Sequence, residues 1–237
     1  MSAFVVLLLL AGPSRPETWA HAEKLAAAVT TAAEKEKPAA VERALAAFGA
    51  ILSEFPKDRK WVPRARRRRA ALLKSVGKIS EAIGEHDAIV EGRASRYDRA
   101  RALLDGAVLQ ERAGDLSKAA KRCARARERY ADEDSIAVRA ALLQGRCFEK
   151  MMKPTVAARI YRQVTKRHRH RVKEAIEAYD RLALLALASR DTRRARRWLA
   201  ACMDRYEKKA VRKDRFGRYV ARLLGDMKAP ARLGQKE

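Results

Sequence analysis

Three arginine-rich runs hold the side chains best suited to chemistry in this chain: Arg64 to Arg69 reads RARRRR, Lys166 to Lys173 reads KRHRHRVK, and Arg193 to Arg197 reads RRARR. A guanidinium is no acid or base near neutral pH, but its five N–H donors form a rigid fork that matches carboxylate and phosphate oxygens. The chemistry on offer is recognition of anions. The competing reading is that the runs are solvated helix faces whose long stems cover apolar surface. His168 and His170 suggest a metal tract, yet residues two apart on a helix point to different sides and the adjacent arginines repel cations. A helix end or linker suits them better.

Catalytic candidates are thin. The chain has four histidines and no G-x-S-x-G, no H-E-x-x-H and no glycine-rich phosphate loop, so no enzyme activity, metal or cofactor is expected. Cys123, Cys147 and Cys202 are odd in number and far apart, with no C-x-x-C pair, which excludes a disulfide framework. Small buried hydrophobes are the expected role of these cysteines, with a Cys123–Cys147 bridge open if the protein is exported.

Composition then says which elements must position the cations. Among 237 residues there are 47 alanines and 23 leucines, against 27 valines, isoleucines and threonines and 18 glycines and prolines, so helix formers dominate. Hydrophobic residues make up 48%, enough to bury a core despite a formal net charge of +25 at pH 7. An all-α fold is expected. The charge points to anionic partners, with nucleic acid or another polyanion among them.

Ala3 to Ala11 is an unbroken apolar run, too short to span about 30 Å of hydrocarbon as a helix. Its length and position match the apolar stretch of a secretory signal, with Gly12 and Ser14 as a small-x-small cleavage site, although no Lys or Arg precedes it. Residues 1–14 are therefore expected to be a signal peptide or an apolar leader. The protein is expected to be extracytoplasmic if the run is a signal, and cytoplasmic if it is not.

A repeat organises the rest. Small residues recur at Ala32, Ala70, Ala107, Gly145 and Ala183, and twelve residues after each stands another alanine: Ala44, Ala82, Ala119, Ala157 and Ala195. Four residues further on are Phe48, His86, Cys123, Tyr161 and Leu199; seven further on are Ile51, Ile89, Ala126, Val164 and Cys202; eleven further on are Phe55, Arg93, Tyr130, His168 and Tyr206. Those offsets trace one helical face. Each copy reads as two amphipathic helices joined at Gly77-Lys78, Gly114-Asp115, Lys153-Pro154 or Asp191-Thr192, with Pro154 and Thr192 suited to helix starts. Repeat two, with His86 and Arg93, is the weak copy.

Ala44-x-x-x-Phe48 followed by Phe55-Pro56, and Gly145-x-x-Phe148, resemble the two halves of the tetratricopeptide repeat pattern. The resemblance covers Glu17 to Asp214. Its large first-helix aromatic is replaced by Ala28, Arg66, Leu103, Ala141 and Tyr179, and its closing proline survives only as Pro56. The spacing near 38 exceeds the usual 34 or so, and the surplus is expected between the second helix and the next first helix, as in longer-looped, divergent arrays of exported bacterial assembly proteins. The resemblance implies an α-solenoid of about five antiparallel helix-pair repeats over 15–214. A capping helix on Phe216, Val220, Leu223 and Leu224 and a loose basic tail complete 215–237.

In that family the first helix of each pair lines the inner, concave surface, at six and three residues before the small position and one and four after it. Carried onto this chain, repeat two presents Arg64, Arg67, Ala71 and Lys74, repeat three Arg101, Leu104, Val108 and Glu111, and repeat four Arg139, Leu142, Arg146 and Glu149. The expected binding set is Arg64, Arg67, Lys74, Arg101, Arg139 and Arg146, with Leu104 and Leu142 adding apolar contact. A noncatalytic protein-interaction scaffold for an acidic peptide or protein follows. The alternative is nonspecific binding of nucleic acid or an anionic envelope polymer.

Overall fold

The computed structural model describes residues 14–33, 35–212 and 215–229. The expected leader, apart from Ser14, and the tail beyond Ala229 lie outside the described residues. So do the side chains of Phe216 and Leu223. Among the described residues there are eleven α-helices and no strand. In chain order they are α1 (Arg15–Thr31), α2 (Lys37–Glu54), α3 (Trp61–Ser75), α4 (Ile79–Glu91), α5 (Arg96–Arg112), α6 (Leu116–Arg129), α7 (Asp134–Lys150), α8 (Pro154–Arg167), α9 (Val172–Ala188), α10 (Thr192–Ala210) and α11 (Arg215–Gly225). The fold class is all-α, built from consecutive helix pairs of the solenoid type. Chain contacts divide it into two compact units between Leu109 and Gln110, within α5.

In the first unit α1 packs on α2, α2 on α3 and α3 on α4. Ala22, Val41, Ala44, Phe48, Ile51 and Ala65 form its main core. Trp19 lies across Phe48 and Trp61, ring centroids 5.4 and 5.1 Å away, an edge-on and a tilted contact. A second cluster joins Ala70, Leu73, Ala82 and Leu109. In the second unit each helix from α6 to α11 packs on the next. Val138, Ala157, Tyr161, Val164 and Leu182 fill one cluster there, and Tyr179, Cys202, Tyr206 and Val220 another.

The repeat is visible as burial. Ala44, Ala82, Ala119, Ala157 and Ala195 all have 0% exposure, because a bare methyl there lets neighbouring helices approach at short range. The first small position behaves the same way in four copies. The exception is Ala32, which follows the last residue of α1 and is only half-buried. At Gly145 the reason for a small residue is explicit: an added Cβ would run into the Tyr161 ring.

Turns within pairs repeat as closely as the cores do. Seven residues after the small position the backbone adopts a left-handed φ of 77° at Gly77, 86° at Gly114, 57° at Met152 and 59° at Arg190. Each turn closes with the same two backbone hydrogen bonds, seen for α3 as Lys78 N–H to the Leu73 carbonyl at 2.9 Å and Gly77 N–H to the Lys74 carbonyl at 3.2 Å. These satisfy carbonyls that a helix end leaves unpaired. Pro154 and Thr192 are the first residues of α8 and α10, and Asp191 caps α10, its carboxylate accepting the Arg194 N–H at 2.8 Å.

The long period does not come from long loops. From α3 onward, three-residue turns such as 151–153 join helices within pairs and four residues, such as 168–171, join one pair to the next, while the first pair has connections of five residues, 32–36, and six, 55–60. The surplus residues extend the helices. Past α11, Lys228 and Ala229 both donate backbone N–H groups to Asp180 at 2.9 Å, and Ala229 has 0% exposure.

Candidate functional site

The RARRRR run lies on α3, in the first unit, and its arginines are held one by one. Glu85 of α4, itself buried, accepts from Arg66 at 3.0 Å and from Arg69 at 2.6 Å. Arg69 also donates to the Leu45 carbonyl at 3.0 Å. Arg67 pairs with Asp98 of α5, and Arg68 with Glu23 of α1 at 2.7 Å. Arg64 lies over the Trp61 ring, 5.5 Å from its centroid. Burial works against a charge on Asp98, but the Ser95 hydroxyl and the Arg67 guanidinium outweigh it and hold the carboxyl below its ordinary range.

These side chains surround a cavity of about 540 Å³ within the first unit. Arg64, Arg67, Lys74 and Arg101 line it, together with Val108 and Ala71. All six occupy positions implied by the family resemblance. The lining also includes Trp19, Arg68, His86 and Asp105, which are not among those positions. Asp105 was within reach of the sequence, because it stands four residues after Arg101 and pairs with it at 3.4 Å. Arg64 and Lys74 make no ion pair among the described residues, so their charge is not neutralised by a neighbouring carboxylate.

The two leucines of the expected set take another role. Leu104 is 2% and Leu142 is 3% exposed, and Leu142 packs among Val138, Ala157, Ile160 and Tyr161. On a helix contacted from both sides, the hydrophobic effect draws these two side chains into the core, so neither is presented to a ligand. In the second unit Arg139 is exposed on α7, whereas Arg146 is half-buried and pairs with Glu177 at 3.3 Å. Glu149 accepts from the Tyr161 hydroxyl and lies 3.6 Å from Arg181. Asp180 is engaged by the backbone N–H groups of Lys228 and Ala229.

The histidines do not lie on a helix. Residues 168–171 form the connection between α8 and α9, so helical spacing does not separate the two rings. Both reach one carboxylate, Asp134, at 2.6 Å from His168 and 2.9 Å from His170. Among the described residues no group of three or more His, Cys, Asp or Glu side chains is placed to hold a metal ion. The three cysteines are buried and free. Burial pushes the Cys123 and Cys202 thiols up to about 12 and Cys147 up to about 11, which removes the thiolate needed for reactivity.

No protein-family model matches the chain, and no curated protein matches it in sequence. Solved structures do resemble it. A crystal structure of MamA protein is similar with a TM-score of 0.56 at 15% identity, over 81% of this chain and 97% of that one. BtubC (BKLC) from P. vanneervenii gives 0.58 at 16% identity, over 84% and 88%. A variant of a Podospora anserina kinesin light chain with nearly identical TPR-like repeats gives 0.55 at 14% identity, over 79% and 97%. The chain has a tetratricopeptide-type repeat fold. The basic cavity is lined by α3 and α5, each the first helix of its pair.

Proposed function

We propose that the protein is a noncatalytic protein-interaction scaffold whose first unit binds an acidic peptide, or an acidic segment of a protein, in the groove lined by α3 and α5. The observation that supports this reading is the cavity lined by five cations, of which Arg64 and Lys74 lack carboxylate partners while Arg67, Arg68 and Arg101 are braced by Asp98, Glu23 and Asp105. Bracing fixes guanidinium geometry in advance and lowers the ordering cost of binding. The unpaired pair supplies the attraction. Replacing Arg64 and Lys74 by Glu is expected to weaken a fluorescein-labelled Glu-rich peptide at least tenfold in fluorescence anisotropy, with the helical circular dichroism unchanged. Unchanged affinity would refute the groove.

Binding of a nucleic acid or anionic polymer is the second reading, favoured by α10. Arg193, Arg194, Arg196 and Arg197 are exposed there and make no ion pair among the described residues. Such a face attracts phosphates without reading sequence, and its affinity falls steeply with salt.

A further inference from the structure

In the second unit a cavity of about 500 Å³ is lined by α6, α7 and α8, with Arg127, Glu128, Gln144, Gln163, Arg167 and His168 among its walls. It lies apart from the first-helix positions considered above. Its centre is Arg127, which is half-buried and donates to two neutral amides, the Oε1 of Gln144 and, at 2.8 Å, the Oε1 of Gln163. Gln144 is oriented for this by giving its own N–H to the Ala120 carbonyl at 3.3 Å.

Arg127 makes no ion pair among the described residues, which sets it apart from Arg66, Arg67, Arg68 and Arg69. Burial, and the nearby Arg167 cation, push its pKa below the ordinary guanidinium value. The last-turn carbonyls of α6 and α8 offset part of the two charges. His168 is already engaged by Asp134, and Glu128 is exposed. What the site has is a fixed guanidinium with three of its five donors unused, a second guanidinium nearby, and room for more than a bare ion.

We propose that this cavity binds a phosphate group, held by Arg127 and Arg167, with Gln144 and Gln163 positioning Arg127. The test is a titration of the whole protein with inorganic phosphate at constant ionic strength, followed by the amide and Arg Nε resonances in ¹⁵N NMR spectra, with sodium chloride as control. Saturable shifts at Arg127, Gln144 and Gln163 are expected. The half-saturating concentration should rise at least tenfold in Arg127→Lys and in Arg167→Gln, the latter at an exposed position where the fold is preserved. A groove variant, Arg64→Gln with Lys74→Gln, should leave the titration unchanged. Shifts that match the chloride control, saturation unaltered in both arginine variants, or loss of binding in the groove variant instead would each overturn the proposal. Tighter binding of glutarate than of phosphate would overturn the choice of phosphate.

Discussion

Arg64 to Arg69 on α3 and Arg193 to Arg197 on α10 are near twins in composition and opposites in surroundings. On α3 the neighbouring helices present Glu23, Glu85 and Asp98 at ion-pair distance, so four of the five arginines become fixed parts of the first unit. Among the described residues no carboxylate pairs with the run on α10, and its arginines stay exposed. A basic run is thus made structural or free by the carboxylates of the next helix, not by its own sequence.

The contrast is tested most strongly at Glu85. Glu85→Ala leaves Arg66 and Arg69 facing each other without a counter-charge and should cost about 2–3 kcal/mol in urea unfolding, less than the roughly 3–5 kcal/mol for breaking a fully buried pair because both arginines are partly exposed. Arg196→Ala on α10 should stay within about 0.5 kcal/mol of the parent. Equal effects would dissolve the contrast between the two runs.

Repeat four solves by shape what repeat two solves by charge. Gly145→Ala gains helix propensity but drives a methyl into the buried Tyr161 ring, and a net loss of roughly 1–2 kcal/mol is expected from the same unfolding measurement. No loss would mean that the ring has room to move. A smaller effect concerns acid. The Asp98 carboxyl is held below 3.8, so its contribution is complete above about pH 4 and is lost as pH falls through the lower folded value. Asp98→Asn should therefore reduce the drop in Tm between pH 5 and pH 2.5, as followed by circular dichroism. The least effect is expected at Arg190, whose left-handed φ is relieved in Arg190→Gly, with a gain of about 0.5 kcal/mol.

Much of the fold is legible because its alanines mark close helix contacts at fixed spacing, and all five second-helix alanines are buried. Ala32 misleads: the α1–α2 connection, 32–36, is longer than the other within-pair turns, which shifts the first helix relative to the repeat. In sequence His86 is a flaw in repeat two. In the fold it is buried beside Glu85, where an ion network with Arg66 and Arg69 supplements apolar packing. Those partners are illegible because the pairs join residues 16 to 45 apart in sequence, as with Arg69–Glu85 and Arg68–Glu23. The repeat places Leu104 and Leu142 correctly on their helices but not in depth, since a helix packed on two sides buries more than one stripe. His168 and His170 escape a sequence reading because their shared partner, Asp134, is 34 residues from His168.

The groove on α3 and α5 and the free arginines of α10 make opposite demands on one experiment. Affinities for a labelled Glu-rich peptide and for a labelled oligonucleotide are measured at 50 and 200 mM salt for the parent, the Arg64→Glu/Lys74→Glu variant and an Arg193→Glu/Arg196→Glu/Arg197→Glu variant. A scaffold with an acidic-peptide groove loses the peptide at least tenfold in the first variant and keeps it in the second. Peptide binding that survives the groove variant but disappears with the α10 variant would contradict it.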